Sequence, residues 1–63
     1  MLNQKKKNEE EWLNAQSNFL INGSFTSSNP EIQAQIELIE DMPEGDKKIE
    51  EYRYILDTWR ETL

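Results

Sequence analysis

The sequence predicts an all-α fold, a small arrangement of three helices at residues 4–21, 30–41 and 46–62. Apolar residues recur at helical spacing in each segment, and the chain has only two glycines, two prolines and no valine, which disfavours the turn-rich all-β classes. Its 63 residues predict a single domain, residues 1–63, that buries about 60% of its unfolded surface. So small a core is either sufficient alone or completed by self-association, for instance in a homodimer.

The first predicted helix, residues 4–21, carries an apolar face. Three residues form the centre of this face and two leucines beside them widen it: Trp12, Ala15 and Phe19, with Leu13 and Leu20. Three lysines stand at the start of the helix, where its dipole disfavours cations, so residues 1–6 are expected to fray. Lys5, Lys6 and Lys7 each precede a glutamate, Glu9, Glu10 and Glu11, by four residues. Ion pairs can form at this spacing on a helix, in the weaker order of lysine before glutamate.

Asn22-Gly23 is predicted to end the first helix, because glycine readily adopts the left-handed conformation that closes many helices. Asn-Gly between apolar runs is also typical of a β-hairpin turn, so residues 18–27 have that alternative. The helix end is favoured because the helical pattern leads straight into it. Phe25 is the one large apolar residue of the following connector and is expected to fold back on the core.

The second helix is predicted to begin at Asn29-Pro30-Glu31, with an asparagine cap, a proline in the first helical position and an acid in the first turn. Its core stripe consists of three isoleucines, Ile32, Ile36 and Ile39.

The last helix has the most regular pattern in the chain. Its apolar residues follow one another at spacings of three, four, three and four, which places them on one inward stripe: Ile49, Tyr52, Leu56, Trp59 and Leu63. Asp46 is expected to cap this helix. The alternative is an earlier start, with Asp41 and Glu44 as a capping box.

Charge gives the first indication of function. The net charge is −6, and residues 23–63 hold all of it, with ten acids against four bases, whereas three lysines balance three glutamates in residues 1–22. Such a surface disfavours direct binding to nucleic acid and favours a partner protein with a basic surface.

Two groups of side chains are candidate contacts for such a partner. Acids around the end of the second helix form the first group, and an outer tyrosine with a nearby acid on the third helix forms the other: Glu37, Glu40, Asp41 and Glu44, then Tyr54 and Asp57. Arg53 and Arg60 lie within helical reach of Asp57. A solvated acidic face that serves only solubility is the alternative interpretation.

A third group is apolar and lies on the flanks of its helices: Leu38, Met42 and Ile55. These residues either complete the core or form the seam of a dimer or of a partner groove.

Other classes of function find little support. The chain has no cysteine and no histidine, which removes thiolate zinc sites and the commonest general base, and no motif predicts a cofactor, a metal or an active site, so an enzyme is not expected. No apolar run is long enough for a membrane span, which together with the absence of cysteine predicts a cytoplasmic chain without a membrane segment.

Two hypotheses follow. The first is a small acidic protein-binding module of the inhibitor, antitoxin or adaptor type, which covers a basic surface, for example that of a nucleic-acid-binding protein. The second is a self-associating structural or assembly subunit. Asp41-x-Pro43 followed by Tyr52-Arg53-x-x-Leu56 resembles the C-terminal part of some phage tail-assembly chaperones, over less than a third of the chain and with a different spacing. A phage or a mobile element is therefore one expected source of the chain. No function is carried over from this resemblance.

Overall fold

Three α-helices make up the fold: α1 (Leu2–Asn22), α2 (Pro30–Glu40) and α3 (Asp46–Glu61). The structure, a computed structural model, describes the backbone of residues 2–63 and the side chains of residues 6–63. No strand occurs within residues 2–63, so the predicted all-α arrangement is confirmed and the hairpin alternative is not. The expected fraying of residues 1–6 falls almost entirely outside the described side chains and stays a prediction.

The boundaries of α1 and α2 follow the local signals in the sequence. Gly23 has φ +79° and its N–H donates to the Phe19 carbonyl at 2.8 Å, which is the left-handed cap expected of a glycine just beyond a helix. The Asn29 side chain accepts a hydrogen bond from the Glu31 N–H at 2.9 Å, with Pro30 opening α2. Both predicted caps are therefore confirmed.

Helix α3 is the element on which the other two pack. The Tyr52 side chain of α3 is 1% exposed. Its ring centroid lies 5.4 Å from that of Phe25 and 6.0 Å from that of Phe19. Phe25 thus folds back from the connector, as the sequence predicts. The core combines residues of all three helices and the connector: Trp12, Ala15, Phe19, Phe25, Ile32, Ile36, Ile39, Tyr52, Ile55, Leu56 and Trp59.

Helix α1 runs antiparallel to α3 and is anchored by a tryptophan. The Trp12 Nε1–H donates to the Leu56 carbonyl at 2.8 Å in a buried hydrogen bond. The Arg60 guanidinium lies over the same indole, 5.1 Å from the ring centroid, a cation–π geometry. One turn of α3 therefore fixes both the direction and the rotation of α1.

The apolar stripes are narrower in the structure than the sequence predicts. Leu13 and Leu20 are 57% and 73% exposed, because α1 packs against α3 alone and only the side of its stripe that faces α3 is covered. Ile49, predicted to point inward, is about half exposed. Helix α1 ends at Asn22, one turn after Phe19 meets Tyr52, which leaves little to cover the first turn of α3.

The start of α3 also differs from the prediction. Gly45 is its N-cap, with φ +148° and ψ −175°, and Asp46 is the first helical residue, without a side-chain capping bond. The capping box of Asp41 and Glu44 does not form, because Asp41 ends α2 instead. A glycine replaces the side-chain cap here because the sharp turn after Pro43 requires a backbone conformation that is essentially restricted to glycine.

A glutamate of α1 holds the connector in place. Glu11 accepts hydrogen bonds from the Ser28 N–H (2.8 Å), the Ser28 hydroxyl (2.7 Å) and the Ser27 hydroxyl (3.2 Å). It does not form the ion pair with Lys7 that the spacing allows, since no lysine nitrogen lies within 4.0 Å of it among the described side chains. Hydrogen bonds from the Ser28 N–H and hydroxyl, followed by that from Ser27, lower the pKa of Glu11.

Replacing Glu11 with glutamine is expected to lower the free energy of unfolding at neutral pH by about 1 kcal/mol, because the carboxylate accepts three hydrogen bonds. The pKa of Glu11 is lower in the folded state, so its contribution is present above the unfolded pKa of about 4.3 and is lost as the pH falls through the folded value. Urea unfolding from neutral to acidic pH measures this. The exposed Glu10→Gln is the matched control, and an equal loss in both variants would contradict the prediction.

Candidate protein-binding surface

The predicted acidic residues lie together at the end of α2 and in the turn that follows. We call Glu37, Glu40, Asp41 and Glu44 the acidic face; all four side chains are exposed. Within residues 6–63, the only ion pair with a nitrogen–oxygen distance under 4.0 Å joins Lys48 to Glu44. The remaining three carboxylates therefore have no cationic partner among the described side chains.

Glu44 differs from the other members of the acidic face. The Lys48 Nζ lies 2.8 Å from a carboxylate oxygen of Glu44 and donates to the Glu40 carbonyl at 3.4 Å. The hydrogen bond to Glu44 raises the pKa of Lys48, so this lysine stays charged and compensates Glu44. The signal was present in the sequence as a spacing of four residues with glutamate first, although Glu44 itself lies just before the N-cap of α3.

The apolar group predicted on the helix flanks does not form one surface. Ile55 is buried in the core, and Met42 is partly buried and packs against it. Leu38 is 73% exposed and lies on the outer side of α2, beside Asp41 and at the edge of the acidic face. Spacings of four and three place Ala34, Leu38 and Asp41 on one line along the helix. Leu38 is thus the apolar member of the outer α2 surface.

The candidate contacts on α3 form a separate surface. Tyr54 is 64% exposed and Asp57 is also exposed, and neither forms a hydrogen bond or ion pair with the acidic face in the described part of the chain. Arg53 and Arg60 do not approach Asp57 within 4.0 Å. Together with Asp57 they border a depression between α1 and α3. The sequence-predicted site residues therefore lie on two surfaces.

A groove between α1 and α3 is the feature that sequence reasoning missed. It consists of two adjoining depressions that share Trp12 and Arg60, one lined by Leu13 and the other by Leu20. A signal for it exists, because Leu13 and Leu20 are seven residues apart and therefore align on one side of α1. The spacing alone does not show whether that side is covered.

Across residues 2–63, no group of three or more acidic, histidine or cysteine side chains has a geometry that could hold a metal ion. No helix in this part of the chain combines the length and the hydrophobicity that crossing a bilayer requires.

Comparison of the chain with protein families, with curated proteins and with solved structures gave no match.

Proposed function

We propose that this protein is a small acidic protein-binding module, of the inhibitor, antitoxin or adaptor type, whose acidic face docks on a basic surface of a partner protein. The observation that supports this most strongly is the absence of a cationic partner for Glu37, Glu40 and Asp41 among the described side chains. Lysines or arginines of another protein would supply the missing countercharges and would steer association.

The stability of the fold does not account for these acids. Glu37 lies three and four residues before Glu40 and Asp41, so like charges repel along the helix by a few tenths of a kcal/mol per pair. The three acids also lie in or next to the last turn of α2, which contains no basic residue, although the negative end of the helix dipole favours cations there. Both effects are unfavourable for folding, and binding to a cationic surface reverses both.

The chemistry of the partner follows from the outer surface of α2. Leu38 lies beside Asp41 at the edge of the acidic face, so the complementary surface has lysines or arginines with an apolar depression next to them. A protein that normally holds nucleic acid has such basic surfaces, and an acidic helix could occupy one in place of phosphates. Tyr54 and Asp57 would extend the contact onto α3 only for a partner that reaches around the molecule.

Affinity capture from the native host tests this proposal. The bait is compared with the variant Glu37→Gln/Glu40→Gln/Asp41→Asn, and with a control of equal charge change at other exposed acids, Glu10→Gln/Glu50→Gln/Glu61→Gln. A protein that the wild type and the control capture, and that binds the acidic-face variant at least about tenfold more weakly, supports the proposal. Capture that is equal with both variants contradicts it.

The alternative function, a self-associating structural or assembly subunit, needs different residues from those predicted. Ile55 is buried and Met42 is partly buried, so Leu38 is the only fully exposed residue of the predicted seam. An isologous seam across Leu38 would bring acidic faces of two copies together, and like charges across an interface are unfavourable. Self-association therefore needs a second, less acidic surface.

A further inference from the structure

The pair Asn22-Gly23 at the end of α1 is capable of a covalent reaction. The backbone nitrogen of the residue that follows an asparagine can attack the side-chain carbonyl carbon of that asparagine, Cγ, and close a ring. A glycine offers the least hindered nitrogen for this attack, because it has no Cβ. Asn22 is the only asparagine of the chain that precedes a glycine, whereas Asn29 precedes a proline, which has no N–H to lose. Asn22 is therefore the asparagine best suited to the reaction.

The surroundings of Asn22 leave room for the ring to close. Asn22 and Gly23 are both exposed, so water can reach the cyclic product. A Cβ built on Gly23 would meet no atom of the described chain within 4 Å beyond its two neighbours in sequence. Neither packing nor exclusion of water therefore prevents the reaction at this position.

The helix cap opposes the reaction. Asn22 is the last residue of α1, so its backbone is helical, and ring closure needs a ψ angle far from the helical value of about −42°. The Gly23 N–H must lose its proton before the nitrogen can attack, and it donates to the Phe19 carbonyl at 2.8 Å. Rotation of ψ at Asn22 carries the Gly23 nitrogen away from Phe19, so both obstacles are removed together when the last turn of α1 opens.

We propose that Asn22 is a site of spontaneous deamidation whose rate is controlled by the cap of α1. When the last turn is open, a bond forms between the Gly23 nitrogen and the Asn22 Cγ. The bond from Cγ to the side-chain nitrogen breaks, and this nitrogen leaves as ammonia with the proton of the Gly23 amide. Water then opens the cyclic imide at either of its carbonyls, which yields aspartate or isoaspartate. The chain and water are the reactants, and no group is oxidised or reduced.

Either product is unfavourable for the end of α1. Both place a carboxylate in the last turn, where the negative end of the helix dipole disfavours anions. Isoaspartate also adds a methylene group to the main chain just before Gly23, which disturbs the hydrogen bond to Phe19. The reaction therefore favours the open state of the cap. It lies in a different part of the fold from the acidic face and does not depend on the proposed function.

Incubation at neutral pH, followed by peptide mapping with mass spectrometry, tests the proposal. Asn22 of the wild type is expected to convert at least about fivefold more slowly in the folded protein than in denaturing urea, the factor that corresponds to one hydrogen bond of about 1 kcal/mol. Asn14 and Asn18, which are exposed on the same helix but precede larger residues, are expected to stay intact. No conversion of Asn22 in urea would overturn the assignment of the site, and equal rates in both conditions would overturn control by the cap.

Matched glycine and alanine variants separate opening of the last turn from unfolding of the whole chain. In the folded protein, Asn22 is expected to convert about fivefold faster in Asn18→Gly than in Asn18→Ala, because glycine is about 1 kcal/mol less favourable than alanine in a helix. In urea the two rates are expected to be equal. The same pair at Asn14, an exposed position one turn earlier, is the control and is expected to change the rate little. Circular dichroism confirms that all four variants are folded. An equal effect of the two pairs would overturn control by the cap, because global unfolding responds to both positions alike.

Discussion

Replacing Tyr52 with alanine is expected to abolish the cooperative unfolding transition. Tyr52 of α3 packs against Phe19 of α1 and Phe25 of the connector, and its side chain is 1% exposed. Truncation of a buried aromatic residue costs about 3–5 kcal/mol. A 63-residue domain has roughly 3–9 kcal/mol of stability in total. The loss is therefore comparable with the whole stability of the fold.

Thermal melts followed by far-UV circular dichroism measure this effect. Tyr54→Ala is the matched control, because it removes the same side chain two residues away at a position that is 64% exposed, and a change within about 0.5 kcal/mol is expected. Tyr52→Phe, which keeps the ring, is expected to unfold cooperatively. A Tyr52→Ala variant with the same sharp transition as the control would show that α3 does not organise the core.

Replacing Glu37 and Asp41 with lysine is expected to change stability and binding in opposite directions. Two cations at the end of α2 interact favourably with the helix dipole and remove the repulsion among the acids, which stabilises the fold by about 1 kcal/mol. For a domain of this size, that corresponds to an increase of about 4–8 °C in Tm. Affinity for a basic partner is expected to fall about a hundredfold, because attraction becomes repulsion across the interface.

Thermal melts and titration of the captured partner measure these two quantities. Lysines at Glu50 and Glu61, on the outer face of α3, are the control for affinity alone, because Glu61 is in the last turn of its own helix and a lysine there also gains from the helix dipole. Increased stability with lost binding is characteristic of residues that are retained for a partner, whereas lower stability or unchanged affinity would favour the alternative of a face that serves only solubility.

Much of the fold could be predicted from the sequence because its signals are local. Gly23 is followed by no further helical pattern, and Asn29-Pro30-Glu31 combines three independent features of a helix start. The inward position of Tyr52 follows from its spacing relative to Leu56 and Trp59. Each of these inferences needs only the residues within one or two helical turns.

The predictions that failed concern side chains whose burial depends on which other helices pack over them. Spacing shows that Leu13 and Leu20 share a side of α1, but α2 does not cover that side, and only the packing reveals this. Spacing predicts Ile55 on the flank of α3, because it lies outside the most regular stripe. It is buried because α2 and α1 pack on different sides of α3 and so widen the covered face.

The acidic face could likewise be predicted only as far as local spacing allows. Exposure of Glu37 and Asp41 follows from their position opposite the isoleucines of α2, whereas Glu40, four residues after Ile36, is exposed at the end of the helix. The ion pair between Glu44 and Lys48 could also be predicted from their spacing of four residues. The groove beside Arg60 was not, because it depends on the packing of the Trp12 indole across α3.

The central claim is that charges of the acidic face bind a cationic surface. Isothermal titration of the captured partner at about 50 mM and about 500 mM salt tests it most directly, since screening over this range suppresses contacts between exposed charges. We predict that the Kd of the wild type rises at least about tenfold, whereas that of Glu37→Gln/Glu40→Gln/Asp41→Asn changes little. An equal Kd for the wild type at both salt concentrations would contradict the claim.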